Sequence, residues 1–331
     1  MFRAVSAMRD FTVLVLPGAY AAGVSATLDI LAAAGAVAAR LRLPKPAWRV
    51  VAPAASPVRL SSGLHVEAAP LPARSRRTDS STWIVPGLGL DSPAAIEREL
   101  GLPEARVAAA AIAAHAARGG AIAASCSAVF LLQRAGLLAK RRVTTSWWLA
   151  QELRRVEPSC NVDADRMVCV DGAMTTAGAA FAHTDLMLHL LRTRFGVAMA
   201  DTVGRILLLD GRHAQSQFVM PAMLAGGNEL VARLIRRIEE SLPHPPSIEA
   251  LAGEQAMSLR TLSRYVRAAT GRSPLALVQS VRLNHARMLI ETSRMSIDRV
   301  AEEVGYADAT ALRRMMRKAG GASPSRYRKA G

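Results

Sequence analysis

Aromatic side chains are scarce in this chain: four Trp, four Tyr and six Phe amount to 4% of 331 residues. An aromatic cage has few rings to draw on; Trp147 and Trp148 are the candidates, with core packing as their competing use. Cysteine is scarcer still. Cys126, Cys160 and Cys169 are an odd number, with no CxxC and no repeated His/Cys spacing, so a disulfide framework and a zinc site are unsupported and a reducing cytoplasm is the expected location. No metal and no cofactor is expected. Long hydrophobic runs are missing too. The run 11–16 follows Arg3 and Arg9 but is too short for a secretory signal and leads into Pro17-Gly18 without a cleavage pattern. The Ala-rich stretch 107–124 is interrupted by His115, Arg118, Gly119 and Gly120, so no membrane span is expected there. Acidic residues are in deficit, 26 against 42 Lys and Arg, giving a net charge of +16 and a pI of about 11.1. Such a balance favours a polyanionic partner, nucleic acid or an anionic surface.

What is present fits two domains, since 331 residues exceed what one core usually serves. Buried strands are expected at 11–16, 48–52, 82–85, 121–125 and 167–170. Helices are expected at 28–39, 93–117, 127–135 and 180–195. Strands alternating with helices predict a mostly parallel sheet covered on both faces, with ligands bound beyond the C-terminal strand ends. Residues 211–228 are polar and Gly-punctuated and read as a linker. After Asn228 only helices follow, at 229–241, 248–255, 259–270, 274–292, 297–304 and 309–319. This C-terminal part holds 18 Lys and Arg against 10 Asp and Glu in 103 residues, about twice the positive density of the rest.

Within it a pattern occurs twice. Ser247-Ile-Glu-Ala-Leu-Ala leads through Met257-Ser-Leu-Arg-Thr-Leu-Ser-Arg-Tyr-Val-Arg to Gly271, and Ser296-Ile-Asp-Arg-Val-Ala leads through Tyr306-Ala-Asp-Ala-Thr-Ala-Leu-Arg-Arg-Met-Met-Arg to Gly320. Each copy begins with an N-cap serine and an acid in the first turn, then a short helix, a turn and a second helix, with Ser258 and Asp308 as its caps. That is helix-turn-helix grammar. In the second helices Leu262 with Val266, and Leu312 with Met316, face one way. Arg260, Ser263, Arg264 and Arg267, and likewise Thr310, Arg313, Arg314 and Arg317, face the other. Such a basic face suits a major groove, where arginine bonds guanine O6 and N7 together; a solvated face on a helical protein-interaction bundle is the plain alternative.

Residues 229–331 resemble the DNA-binding domain of AraC-type transcriptional regulators. The resemblance lies in the doubled motif, in the linking helix with Arg282-Leu-Asn-His-Ala-Arg-Met-Leu-Ile, and in the ending Gly321-Ala-Ser-Pro-Ser-Arg-Tyr-Arg. It implies two recognition helices in successive major grooves of double-stranded promoter DNA, and activation by contact with RNA polymerase. Carried over by position, the base-facing residues are Arg260, Ser263 and Arg264, then Ala309, Thr310, Arg313 and Arg314, with Ala309 limited to a methyl contact.

The stretch Ala121-Ile-Ala-Ala-Ser-Cys-Ser-Ala-Val-Phe mounts Cys126 between a strand and a helix, as activated nucleophiles often are. With Leu16-Pro-Gly, Ile84-Val-Pro-Gly and Val143-Thr-Thr, it gives residues 10–210 a resemblance to the glutamine-amidotransferase-like fold in its PfpI-like branch. Joined to the C-terminal domain, it matches the GlxA-like group of regulators. The resemblance implies an α/β three-layer sandwich that pairs as a homodimer. It also exposes departures: Ser146 stands where a histidine is expected, Gly23 where some enzymes place an acid (Asp29 is two turns on), and Leu88 follows Pro86-Gly87 in place of a second glycine. His115, His183 and His189 remain, and nothing in their spacing places one beside Cys126. The domain is therefore expected to have lost catalysis and to sense a small metabolite of unidentified class through Gly87, Cys126, Ser127, Ser146 and Trp147. The alternative is a cysteine-dependent hydrolase or glyoxalase-like enzyme fused to a DNA-binding module.

Overall fold

The structure, a computed structural model, describes residues 9–53, 56–71, 79–90, 92–209, 215 and 228–320. The chain divides into two units, Met1–Arg212 and His213–Gly331. Of the expected linker only Gln215 and Asn228 are described, and the ending from Gly321 lies outside the described residues.

The strands of the first unit are β1 (Phe11–Leu14), β2 (Trp48–Ala52), β3 (Val58–Arg59), β4 (His65–Val66), β5 (Ala69–Pro70), β6 (Thr82–Val85), β7 (Ile122–Ser125), β8 (Arg142–Val143), β9 (Asn161–Val162), β10 (Val168–Asp171) and β11 (Met174–Ala177). Its helices are α1 (Ala21–Ala38), α2 (Pro93–Leu100), α3 (Pro103–Ala116), α4 (Val129–Arg134), α5 (Ala150–Val156), α6 (Ala182–Phe195) and α7 (Val197–Ile206). Seven strands form one sheet in the order β10-β11-β7-β6-β1-β2-β5, and β3–β4 and β8–β9 are small ribbons. All neighbours in the sheet run parallel except β10 with β11. A parallel sheet needs cover on both faces, and β1 and β7 are accordingly buried along their whole length. Helices α1, α6 and α7 pack together in one layer and α2, α3 and α4 in another, giving the expected three-layer arrangement.

Several elements differ from expectation. The helix at 93–117 is two helices, because Gly101 closes the first and Pro103, with no N–H to donate, opens the second. The late strand is half of a hairpin: β10 turns at Gly172, φ 61°, into β11, whose Met-Thr-Thr-Ala lacks the apolar run that marks the other central strands. Helix α1 starts seven residues earlier than expected, at Ala21, through a stretch of small residues. It has the length and mean hydropathy, 1.6, of a membrane span, but it packs against α6 and α7 and serves as a core helix.

The described part of the second unit is helical: α8 (Glu229–Glu240), α9 (Ile248–Glu254), α10 (Leu259–Thr270), α11 (Pro274–Thr292), α12 (Ile297–Glu303) and α13 (Ala309–Gly320). Every one of these starts is capped by a side chain. Asn228, Ser247, Ser258, Ser273, Ser296 and Asp308 accept from the backbone N–H three residues on, at 2.6–3.2 Å. The turns of the two motifs begin alike. Met257 N–H bonds Ala252 C=O and Ala256 N–H bonds Gly253 C=O; Tyr306 N–H bonds Ala301 C=O and Gly305 N–H bonds Glu302 C=O. Each is a helix end closed by a left-handed residue, Gly305 at φ 76° in one copy and Ala256 at φ 52° in the other. Arg282 of α11 locks the second turn, donating to the Val304 and Gly305 carbonyls and stacking over Tyr306, 4.0 Å from the ring centroid.

Ala256 carries a Cβ in a conformation that costs about 1 kcal/mol for any L-residue but glycine. Ala256→Gly is expected to raise the unfolding free energy of the second unit by up to about 1 kcal/mol, measured by denaturant titration. Gly305→Ala is expected to lower it, because its Cβ would collide with the Pro243 carbonyl.

Candidate functional site

The strand–turn–helix from β7 through the 3-10 turn Cys126–Ala128 to α4 sits at the C-terminal ends of the sheet. Cys126 takes φ 56°, a left-handed conformation that a non-glycine residue keeps only when its surroundings enforce it. Its N–H donates to Gly178 C=O at 2.8 Å, and its C=O accepts from the Thr145 hydroxyl at 2.7 Å. Gly87, at the end of β6, lies against it: a Cβ there would come 2.8 Å from Cys126 Cβ. The Ser127 hydroxyl donates to Leu88 C=O at 2.6 Å.

Cys126 Sγ has one side-chain hydrogen-bond partner among the described residues, the Ser146 hydroxyl at 3.0 Å. Ser146 thus occupies the place beside the thiol where the family resemblance leads one to expect a histidine. Of the expected ligand-binding residues, Gly87, Ser127 and Ser146 come together at Cys126. Ser127 and Ser146 are wholly buried, and Cys126 keeps 5% exposure. Trp147, at 7%, packs edge-on to Trp148 with centroids 5.2 Å apart. Asp29 is exposed on α1.

His115, His183 and His189 bond elsewhere. His115 stacks on Trp83 and contacts Ala121 C=O, and burial lowers its pKa. His189 contacts Thr193 on its own helix. His183 was not expected at the site and stands directly behind it, with Nδ1 2.8 Å from the Ser125 hydroxyl and Nε2 2.6 Å from the Thr27 hydroxyl. The Thr27 proton goes to Gly23 C=O, so Nε2 donates and Nδ1 accepts from Ser125. Complete burial pushes the His183 pKa down to about 4, and the ring is neutral at pH 7. Cys160 and Cys169 are free and buried; burial pushes the Cys160 thiol up to about 11 and also raises that of Cys169.

In the second unit Leu262, Val266, Leu312 and Met316 are fully buried. Opposite them, Arg260, Arg264, Arg267, Thr310, Arg313, Arg314 and Arg317 are exposed, and Ser263 is half-buried. Among the described residues none of these six arginines is ion-paired, whereas Arg233, Arg237 and Arg299 pair with Glu229, Glu254 and Glu302 with Glu303. Ala309 is a correction. Only 3% of it is exposed, because it is turned into its unit as the first residue of α13, so it has no methyl to present to a base.

Residues 13–193 match the DJ-1/PfpI family model and residues 251–330 a helix-turn-helix domain model. The chain belongs to the DJ-1/PfpI family and carries, beyond that domain, a helix-turn-helix region. It is 30% identical over 184 residues to the HTH-type transcriptional regulator GlxA of Rhizobium meliloti (strain 1021), covering 55% of this chain and 56% of the relative. It is 25% identical over 214 residues to the HTH-type transcriptional regulator GbdR of Pseudomonas aeruginosa (strain UCBPP-PA14), covering 64% and 58%. The chain thus spans less than two thirds of the length of these relatives. Among solved structures, an AraC family transcriptional regulator from Pseudomonas putida aligns with a TM-score of 0.49 and 22% identity, over 60% of this chain and 98% of that one.

His183 makes acid sensitivity testable. Its folded pKa lies below the ordinary 6.5, so the unfolded chain takes up the proton first as pH falls. The stability it confers is complete above about 6.5 and is lost as pH drops towards about 4. The thermal midpoint is expected to fall across that window, and to fall less steeply in His183→Gln, which does not titrate; equal slopes would count against this role.

Proposed function

We propose that the chain is a sequence-specific transcriptional regulator, acting as an activator. Residues 229–331 bind double-stranded promoter DNA, 211–228 serve as a linker, and 10–210 sense a small metabolite and pair two copies of the chain. The observation that carries this is the set of six exposed arginines, without an ion pair among the described residues, on the second helices of two helix-turn-helix motifs whose starts are all capped by side chains. Arg233, Arg237 and Arg299 of the same unit pair with glutamates; these six have no carboxylate partner among the described residues and are available to phosphates and guanine edges. Base-contact roles are assigned to Arg260, Ser263, Arg264, Thr310, Arg313 and Arg314, and Arg267 completes the basic face. The names of the curated relatives support regulation, and by family resemblance activation runs through RNA polymerase. A cytoplasmic location fits three free, buried cysteines.

For the first unit, sensing is preferred to catalysis because Cys126 bonds a serine hydroxyl and His183 is directed at Ser125. The strained φ of Cys126 favours a second reading, a cysteine-dependent enzyme fused to a DNA-binding module. Turnover of an amide or α-ketoaldehyde substrate that disappears in Cys126→Ala would establish that reading.

The test is fluorescence anisotropy of the full chain on upstream DNA, with scrambled competitor and a salt titration. Binding to the preferred duplex is expected to survive competitor, and Arg264→Ala and Arg314→Ala are each expected to weaken it by about 1–3 kcal/mol and relax base preference. Unchanged binding in the double variant would favour a protein-interaction bundle.

A further inference from the structure

The two recognition helices are each capped by a side chain, Ser258 or Asp308, and carry similar basic faces, but differ at their first residue. In α13 it is Ala309, 3% exposed; in α10 it is Leu259, 42% exposed. Its exposure is not explained by clasping the helix start. The positions that do so are the residue before the cap and the fourth of the helix, here Met257 and Leu262, and Leu262 is fully buried. Leu259 lies outside that pair, next to Arg260 and one turn from Ser263, on a helix whose Arg260, Arg264 and Arg267 have no carboxylate partner among the described residues.

An exposed apolar side chain at the start of a helix that also carries Arg260, Arg264 and Arg267 has a specific match on the polyanion those arginines fit. The major groove of duplex DNA presents one apolar group, the 5-methyl of thymine, beside the acceptor atoms of guanine that arginine bonds. We propose that Leu259 reads a thymine methyl in the half-site engaged by α10, and that the first residue of α13 makes no such demand on the other half-site. The two half-sites therefore differ in sequence although the two motifs share one plan. This rests on the reading of the chain as a sequence-specific DNA-binding protein.

The full chain would be used to enrich duplexes from a randomised library, and the enriched duplex resynthesised with deoxyuridine replacing each thymidine in turn, which removes only the methyl group. At one position the wild type is expected to bind about three- to fivefold more weakly, the worth of one buried methyl. Leu259→Ala is expected to bind the two duplexes alike, and Leu259→Met to recover the difference. A methyl effect that persists in Leu259→Ala, or no effect at any position, would overturn the assignment while leaving DNA recognition intact. Enrichment of no sequence would overturn both.

Discussion

The first unit depends on one backbone conformation, the left-handed φ of 56° at Cys126. For an L-residue it costs about 1–2 kcal/mol, and contacts from several chain segments hold it in place. Gly178, just after β11, receives the Cys126 N–H; Thr145, just after β8, caps its carbonyl; and Gly87, at the end of β6, gives it room. The C-terminal ends of the central strands therefore meet at one residue, in the region where α/β sheets bind ligands. Behind it, the neutral His183 ties Ser125 to α1 through Thr27, so that a helix on one face of the sheet fixes the strand leading into the elbow. What this arrangement presents to the thiol is a hydroxyl, Ser146, where a catalytic site would need a base.

The second unit is held by a different kind of constraint. Its helices α9 and α12 span seven residues each, too short to persist on propensity alone. Side-chain caps at every start and left-handed turns after α9 and α12 supply local definition, and Arg282 adds a long-range clamp on the second turn. In the α/β unit, by contrast, only α2 among the described helices starts with a side-chain cap, from Ser92; the others are fixed by burial against the sheet.

That difference decides what could be read in advance. Caps, turns and faces are local, so the doubled motif, its caps Ser258 and Asp308, and the buried pairs Leu262–Val266 and Leu312–Met316 were legible from residue spacing. The elbow was legible for the same reason. Contacts between distant segments were not. His183 lies 58 residues from Ser125 and 156 from Thr27, and nothing in its own neighbourhood marks it. Strand β11 escaped notice because threonine and alanine carry little apolar signal, although its place in the sheet makes it central. Ala309 was misplaced although it stands three residues before Leu312 and seven before Met316, in phase with the buried stripe of its helix, and it is 3% exposed.

Two recognition faces acting together on one duplex are the central requirement, and hydroxyl-radical footprinting of the full chain on an enriched duplex examines it most directly. The expected result is two protected patches about one helical turn, ~10 base pairs, apart on the same face of the DNA. A single patch, or faint protection everywhere that vanishes as salt rises, would contradict it and leave only attraction between a basic protein and phosphate.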